Sequence, residues 1–349
     1  MSAAARGPLF VDLVGLEATA EDREILEHPM IGGVVLFTRN FEDRDQLKAL
    51  VRAIKRVRGR DLVVAVDHEG GRVQRFRGGG FALLPPAALF GRTSDHDRAA
   101  AAGLATRAGW LLATDLATVG VDVSFAPVVD CHHPDSAVLG DRALHRDPQR
   151  VAELARAFLV GMHAGGVAGC IKHFPGHGGV SEDSHNELPE DGRPLAELEA
   201  RDLVAFSELA DAESVMTAHV RFPAITGEIP AFSEFWLKTM LRRRLGADGV
   251  VVSDDLSMAG AALIEPRAED RVSRALAAGC DIVLLLNDRP SVVQVLDARR
   301  SFRSPPESVW RRWARPVLDA RRQPSPAALA AIDRAAVADE VARRLESPG

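Results

Sequence analysis

The sequence predicts an α/β protein that folds as a single (β/α)8 barrel of the TIM type with a helical C-terminal tail. Eight short, nearly continuous apolar segments recur along the chain, and such segments are typical of strands buried on both faces. Stretches rich in Ala, Leu, Arg and Glu with helical periodicity separate most of them, which predicts a parallel sheet. Eight such units in about 290 residues fit a closed barrel.

Most pairs of consecutive predicted strands are separated by a segment long enough to form a helix. A doubly wound sheet is the main alternative, but it would not require eight units, and the glycine pattern GxGxxG is missing after the first strand. The clearest predicted helices cover 42–57, 100–116, 149–166 and 269–280. The predicted strands are LFVDLVG (9–15), GGVVLF (32–37), LVVAVD (62–67), DVSFAPVVD (122–130), GCIKHF (169–174), SVMTAHV (214–220), GVVVSDD (249–255) and DIVLLLN (281–287).

The chain contains no internal repeat or linker that would divide it into two domains. We therefore predict one domain over 1–349, with the barrel at about 8–290 and helices at about 291–349 that cover it. We interpret the charge runs of this tail, RRWARP and LDARRQ, as the solvated faces of amphipathic helices.

The composition excludes several classes of partner. A net charge of -6 without a basic block argues against nucleic acid or an anionic membrane. The three cysteines are too few for a disulfide framework and fit a reducing compartment. No apolar run approaches the ~20 residues that span a bilayer, and the first residues do not resemble a signal peptide. We therefore expect a cytoplasmic monomer that acts on a small molecule.

Polar residues stand where the predicted strands end. In a barrel, the carboxyl ends of the strands form the catalytic face, so we expect these side chains to meet on one rim. One such residue could simply mark where a strand leaves the core, but the whole set predicts an active site. The set comprises Asp12, Asp67, Asp130, Lys172 with His173, His219, Asp254 with Asp255, and Asn287.

The densest group of titratable residues lies in IKHFPGHGGVSEDSHNELP, residues 171–189. Its proline and glycines predict a shaped loop, and loops with several titratable groups are usually functional. Asp183 and His185 are two residues apart. On a turn, this spacing lets the carboxylate bind one imidazole nitrogen while the other faces substrate. The pair therefore predicts proton transfer near neutral pH.

The same loop could instead bind zinc through His173, His177, Asp183 and His185. However, the HExxH pattern is absent, and Lys172 places a positive charge beside His173, where a cation would sit. We therefore favour proton transfer over metal-dependent hydrolysis.

Two adjacent carboxylates, Asp254 and Asp255, end the seventh predicted strand in GVVVSDDLSM (249–258). Neighbouring side chains of a strand point to opposite faces. We therefore expect one aspartate to face the pocket and the other to cap the following helix.

Acidic groups and arginines also follow the third and fourth strands, in VDHEGGRVQRFRGGG (66–80) and VLGDRALHRDP (138–148). Carboxylates bind vicinal hydroxyls, and arginine binds carbonyl or anionic groups. The glycine runs are not phosphate loops, because GxxxxGK[ST] is missing. These motifs suit a ligand with hydroxyls and a carbonyl or carboxylate.

Together, the motifs resemble glycoside hydrolase family 3. The similarity extends from LFVDLVG to DIVLLLN in the family's order, through VDHEGGRVQR, GDRALHRDP, KHFPGHG followed by DSH, and SDDLSM. The KHFPGHG and DSH signature resembles in particular the bacterial β-N-acetylhexosaminidases of peptidoglycan recycling. The resemblance implies that Asp254 is the nucleophile, His185 the general acid/base and Asp183 its partner, with no metal or organic cofactor. It also implies that the N-acetylglucosamine ring is bound by Asp67, Arg75, Arg142, Lys172 and His173.

With this resemblance, the sequence predicts a retaining exo-β-N-acetylglucosaminidase. The expected substrate is N-acetylglucosaminyl-1,6-anhydro-N-acetylmuramic acid, with or without its peptide. In this interpretation a histidine replaces the second carboxylic acid that retaining glycosidases usually carry. A neutral histidine beside the glycosyl ester does not repel an incoming anion, so phosphate is a conceivable acceptor of the sugar in place of water. The alternatives are an N-acetylglucosaminide phosphorylase, a hexosaminidase of chitin fragments, and, from another class, a catalytically silent sugar-binding barrel.

Overall fold

The protein is described by a computed structural model that covers residues 6–57, 62–133, 136, 139–180, 188–298, 302, 304–314 and 334–346. The described strands are β1 Leu9–Val11, β2 Ile31–Leu36, β3 Val63–Val66, β4 His68–Gly70, β5 Val73–Gln74, β6 Val123–Ser124, β7 Ala168–Gly169, β8 Ile171–Phe174, β9 Ser214–Thr217, β10 Val250–Asp255 and β11 Ile282–Leu284. Nine of them form one parallel sheet in the order β7-β6-β3-β2-β1-β11-β10-β9-β8, while β4 and β5 form a small antiparallel hairpin.

The sheet closes because its two outer strands, β7 and β8, are pieces of one stretch of chain. They are separated by Cys170 alone. Ala168 in β7 pairs with Val123 in β6, whereas Ile171 in β8 pairs with Val215 in β9. Residues 168–174 thus act as one strand of an eight-membered barrel. The predicted (β/α)8 barrel is confirmed, and the doubly wound alternative is wrong.

Helices follow most of the strands, and the four predicted helices are observed at Arg44–Arg56 (α2), Arg98–Val119 (α4), Pro148–Gly165 (α5) and Ala268–Ala278 (α9). The Asp43 side chain caps α2, and Gly120 ends α4 with a φ of 87°. None of the described helices is long and apolar enough to cross a membrane. The bounds are α1 Ala20–Glu27, α2 Arg44–Arg56, α3 Ala88–His96, α4 Arg98–Val119, α5 Pro148–Gly165, α6 Leu195–Ala200, α7 Asp202–Glu208, a π-helix Phe235–Arg244, α8 Ala259–Ala262, α9 Ala268–Ala278, α10 Arg289–Asp297, α11 Glu307–Ala314 and α12 Arg334–Glu346, with 3₁₀ turns at Thr38–Asn40, Gly140–Arg142 and Pro230–Phe232.

The apolar strands are buried on both faces, as their continuous apolar runs predict. On β2, for example, Val34 packs into the layer between barrel and helices, whereas Val35 packs into the barrel interior. Side chains from all around the barrel fill that interior, including Phe10, Phe125 and Met216. The interior is therefore a packed core.

The tail helix α11 contributes two tryptophans to the barrel interior. Trp310 stacks on Phe10 with 6.4 Å between ring centroids, and Trp313 meets the same ring edge-on at 5.6 Å. Trp310 also lies against Gly32 at the start of β2. α11 thus covers the amino-terminal end of the barrel, opposite the ends where the polar residues stand. In RRWARP, Arg311 is exposed, as our solvated-face interpretation predicts, whereas Trp313 is only 1% exposed, which that interpretation did not foresee. The second charge run, LDARRQ, lies outside the described residues.

The fourth predicted strand is much shorter than expected. Residues 122–130 form a strand over Val123–Ser124 and then continue irregularly, with one parallel bridge from Val128 to Lys172. The Ala126–Pro127 peptide bond in this stretch is cis, as are Lys172–His173 and Phe174–Pro175. This path brings Asp130 beside the end of β8.

Candidate active site

A polar cavity of about 470 Å³ opens at the carboxyl ends of the barrel strands. This is the position at which barrel enzymes bind their substrates. Its lining joins carboxylates and cations with a few apolar side chains that belong to the barrel interior. The lining includes Asp67, Glu69, Arg72, Arg75, Arg142, Lys172, His173, His177, Asp254, Asp255 and Asn287, with Phe37, Phe125, Met216, Met258 and Leu286 among its apolar members.

Five charged side chains form a chain of alternating sign along one side of the cavity. The Lys172 ammonium lies 2.7 Å from Oδ1 of Asp67 and 2.7 Å from Oε1 of Glu69. Arg142 donates to both oxygens of Glu69, at 2.8 and 2.9 Å. At the other end, Arg75 Nη2 lies 3.6 Å from Oδ2 of Asp67. The order is therefore Arg75, Asp67, Lys172, Glu69, Arg142.

The buried members of this charge chain keep their charges. Burial acts to raise the pKa of Glu69, but Lys172 and Arg142 lower it below the ordinary value for a glutamate. Burial acts to lower the pKa of Lys172, but Asp67 and Glu69 raise it above the ordinary value. Both groups are therefore ionised at neutral pH, and they present fixed charges to a ligand.

A second buried group orients His173. Asp130 accepts from Nδ1 of His173 at 2.7 Å and from the backbone N–H of His177 at 2.7 Å. Burial acts to raise the pKa of Asp130, but His173 and His177 lower it below its ordinary value. The pKa of His177, in contrast, is lowered by its own burial and by His173. Asp130 thus holds the His173 ring through Nδ1, and His173 is among the residues that line the cavity.

The two aspartates at the end of β10 have different environments. Asp254 is half-buried at the cavity, and its Oδ1 accepts from the backbone N–H of Asp255 at 2.8 Å. Asp255 accepts from Ser257 and from the backbone N–H of Leu286, which lies two residues after the next strand, β11. Asp255 therefore braces the strand ends. The prediction that one aspartate caps the next helix is wrong, because α8 begins without a side-chain cap.

His219, two residues after β9, supports the same strand end. It is fully buried, and its Nε2 donates to the carbonyl oxygen of Asp255 at 3.0 Å. The Thr217 hydroxyl accepts from the backbone N–H of Asp254 at 3.3 Å. The backbone that carries Asp254 is therefore held from the neighbouring strand.

Of the eight predicted site residues, the structure brings six together. Asp67, Arg75, Arg142, Lys172, His173 and Asp254 all line the one cavity. Asp183 and His185 lie outside the described residues. The loop that carries them is described on both sides, at residues 175–180 and 188–194.

The other strand-end residues stand behind this rim. Asp12 pairs with Arg39 and accepts from the backbone N–H of Asn287 at 2.9 Å. In the 138–148 motif, Asp141 pairs with Arg72 at 3.1 Å. His145 turns away from the cavity to Asp95, at 3.2 Å. The convergence predicted for the strand ends is thus observed, although several of its members support the rim rather than line the cavity.

Glu69 is a site residue that our sequence reasoning did not assign. It lies on β4, whose hairpin turns through Gly70 and Gly71 at φ of 105° and 54°. A Cβ at Gly70 would lie 2.5 Å from the Pro85 carbonyl oxygen, and one at Gly71 would lie 2.8 Å from Cα of Pro86. Only glycine fits both the conformation and the contact. The signal in the sequence was an acidic residue directly before a glycine pair, next to a strand end.

A TIM-type barrel with a charged cavity at its carboxyl end defines a barrel enzyme with its active site on the usual face. Residues 10–305 match the glycosyl hydrolase family 3 N terminal domain. The chain therefore belongs to glycosyl hydrolase family 3.

Similar proteins narrow the class further. The β-hexosaminidase of Tolumonas auensis is 47% identical over 305 residues, which cover 86% of this chain and 88% of that protein. The β-hexosaminidase of Thioalkalivibrio sulfidiphilus is 50% identical over 294 residues, which cover 84% of each chain. The protein is a glycoside hydrolase of the β-N-acetylhexosaminidase class.

Solved structures support the same relationship. The chain is similar to NagZ from Neisseria gonorrhoeae in complex with N-trifluoroacetyl-D-glucosamine, with 39% identity, 99% of each chain covered and a TM-score of 0.87. It is also similar to the β-N-acetylhexosaminidase from Beutenbergia cavernae, with 29% identity, coverage of 97% and 94%, and a TM-score of 0.75.

Proposed function

We propose that the protein is a retaining exo-β-N-acetylglucosaminidase with Asp254 as its nucleophile. The observation that carries this proposal is the position of Asp254: its carboxylate lines the same cavity as the charge chain from Arg75 to Arg142. A retaining glycosidase needs a carboxylate on one face of the anomeric carbon and a proton donor on the other. Asp254 supplies the first, on a strand end braced by Asp255 and His219.

The reaction proceeds in two displacements. Asp254 attacks the anomeric carbon, an ester bond forms, and the glycosidic bond breaks as His185 gives its proton to the departing oxygen. His185 then takes a proton from water, whose oxygen displaces the carboxylate and releases the sugar. Asp183 orients His185 and stabilises its protonated form, as carboxylates do in other dyads.

The sugar itself is recognised by the charge chain. Asp67 binds ring hydroxyls, while Arg75, Arg142, Lys172 and His173 bind hydroxyl and carbonyl oxygens of the 2-acetamido sugar. The similarity to NagZ in complex with an N-acylated glucosamine supports this assignment. No metal or organic cofactor takes part.

We further propose that the substrate is GlcNAc-1,6-anhydroMurNAc, with or without its peptide, and that the enzyme works in the cytoplasm as a monomer. The resemblance of the KHFPGHG and DSH motifs to the hexosaminidases of peptidoglycan recycling supports this substrate. The three cysteines, all free thiols, fit a reducing compartment.

Two comparisons of rates test this function. The first sets an aryl N-acetylglucosaminide against the matching glucoside, and we expect at least a tenfold preference for the N-acetyl sugar, because an unmet buried polar group costs ~1–3 kcal/mol. The second sets soluble anhydromuropeptide against polymeric peptidoglycan, and we expect the soluble fragment to react faster. Equal rates on the two sugars would refute the specificity, and a preference for the polymer would refute the recycling role.

A further inference from the structure

The two carboxylates of the charge chain differ in how far protein donors occupy them. Glu69 is 7% exposed in its side chain, and its oxygens accept three hydrogen bonds of 2.7 to 2.9 Å from Lys172 and Arg142. Asp67 is 23% exposed, and its Oδ2 lies 3.6 Å from Arg75, beyond hydrogen-bond distance. A ligand hydroxyl can therefore reach Asp67, whereas the protein itself occupies Glu69.

Glu69 also connects two cations that come from distant parts of the chain. Lys172 lies on β8, and Arg142 ends the 3₁₀ turn Gly140–Arg142. Both are largely buried, with side chains 3% and 13% exposed. Without Glu69, the charge chain would contain three cations and one carboxylate. Lys172 and Arg142 would then repel each other across a buried gap.

The backbone holds Glu69 in place independently of these ions. β4 pairs with β5, and the turn that follows Glu69 packs on Pro85 and Pro86 so closely that only glycine fits at residues 70 and 71. Glu69 is thus a fixed point to which the more flexible lysine and arginine side chains are tied.

We infer that Glu69 is a positioning residue of the sugar site, which holds the Lys172 ammonium and the Arg142 guanidinium where both face the cavity. This inference rests on the proposed function, in which these two cations bind the sugar ring. Because Glu69 acts on ring binding, its loss affects all N-acetylglucosaminides alike, whatever their leaving group.

The first test is kinetic. Glu69→Gln removes the charge at nearly constant size, and Glu69→Asp keeps the charge but is too short to reach both cations. We expect Glu69→Gln to lose at least tenfold in kcat/KM and in affinity for N-acetylglucosamine, by the same factor for good and poor leaving groups. Glu69→Asp should recover part of the loss. The control is Glu213→Gln, which removes a carboxylate that contacts His163 at 2.7 Å outside the cavity and should leave both values unchanged.

The second test follows Lys172 without any turnover. The chain has four lysines, at 48, 55, 172 and 238, so carbon-13 labelling of the lysine Cε atoms gives four signals that can be assigned by substitution. We expect Lys172 to titrate above the ordinary lysine pKa in the wild type and at a lower pH in Glu69→Gln. The titration is confined to the pH range in which circular dichroism shows an intact fold.

The two tests separate this inference from the proposed function. An unchanged Lys172 titration in Glu69→Gln, or a kinetic loss confined to poor leaving groups, would overturn the role of Glu69. If Glu69→Gln does not fold, the wild type alone still tests the inference: a Lys172 pKa below the ordinary lysine value would overturn the role of Glu69. A wild type inactive on every N-acetylglucosaminide would refute the proposed function, while the titration would still decide whether Glu69 holds Lys172.

Discussion

The Oδ2 atom of Asp130 lies 2.7 Å from Nδ1 of His173, and both side chains are buried beneath the cavity. Because Asp130 keeps its charge, its carboxylate accepts the proton of Nδ1, and the His173 side chain that it holds lines the cavity. The same carboxylate accepts from the backbone N–H groups of His173 and His177. One aspartate thus fixes both the ring and the backbone of the segment that follows β8.

Asp130→Asn should therefore impair both stability and activity. The side-chain amide of asparagine has only one oxygen that can accept, and its NH₂ group would face the N–H donors of His173 and His177. A buried polar group without a hydrogen-bond partner costs ~1–3 kcal/mol. We expect the free energy of unfolding in urea to fall by about this amount, and kcat/KM to fall at least tenfold. Asp95→Asn is the matched control, because Asp95 pairs with His145 at an exposed position. Equal losses in the two variants would contradict the role of Asp130.

The sequence could predict which residues stand at the rim, but not their partners. Asp130 and Lys172 were found because the apolar runs of two strands end there. That Asp130 binds His173, or that Glu69 binds Arg142, depends on contacts between residues 43 and 73 positions apart. Such contacts form only when the barrel closes. Glu69 lies on the short strand β4 directly before a glycine turn, where an acidic residue is ordinary, so its sequence position alone does not reveal its two cations.

Asp255 predicts an unusual dependence of stability on pH. Burial raises the pKa of its carboxyl from 3.8 to about 7, although hydrogen bonds from Ser257 and Leu286 favour the ionised form. Because the folded pKa lies above the unfolded one, the folded state binds the proton more tightly. The resulting stabilisation is complete below about pH 4 and is lost as the pH rises through about 7. At about 1.4 kcal/mol per pKa unit, it is on the order of 4 kcal/mol.

The measurement is the free energy of unfolding of the wild type and of Asp255→Asn between pH 4 and 8. The difference between the two should change across this range, with the wild type losing stability relative to the variant as the pH rises. Glu234→Gln, which changes an exposed carboxyl outside the cavity that pairs with Lys238, should follow the wild type. A constant difference between wild type and Asp255→Asn would show that Asp255 titrates normally.

The tail helix α11 should be a structural part of the barrel. Trp313 is 1% exposed and lies in the barrel interior against Phe10. Removing a buried Trp side chain leaves a cavity that costs about 3–5 kcal/mol. We expect Trp313→Ala to lose this much in urea unfolding, while kcat on an aryl N-acetylglucosaminide at low temperature stays near the wild-type value. Trp110→Ala, at a half-buried position on α4, should lower the free energy of unfolding by less. If Trp313→Ala lost no more stability than Trp110→Ala, α11 would not be a structural part of the barrel.

The burial of Trp313 also shows why the tail was harder to predict than the barrel. The eight strands could be predicted from apolar runs, because such runs are typical of strands that are buried on both faces. In α11, Trp310 and Trp313 alternate with arginines, which is typical of a helix on the protein surface. The sequence does not show that the face with the two tryptophans meets the open end of the barrel.

Asp254 should be the residue that becomes covalently bound. Asp254→Asn removes the nucleophile, but its amide oxygen can still accept from the backbone N–H of Asp255, so the fold should persist. We expect turnover to be abolished with sugar binding largely retained. A slow fluorinated substrate should label the peptide that contains Asp254, as peptide mass mapping can show. A label on Asp255 or Glu69 would refute the assignment.

Asp183 and His185 should act as one proton-transfer unit, because a carboxylate two residues from a histidine can orient the ring and stabilise its protonated form. Proton donation matters only when the departing alcohol is poor, and general acid–base catalysis is typically worth ~100- to 10,000-fold. His185→Ala should therefore cripple cleavage of natural disaccharides but spare the first step on aryl glycosides with very good leaving groups. Asp183→Ala should show the same pattern more mildly, and the double variant should be little worse than His185→Ala. The measurement is a leaving-group series for the wild type and the three variants. Losses that are equal across leaving groups, or that multiply in the double variant, would show that the two residues do not work as a unit.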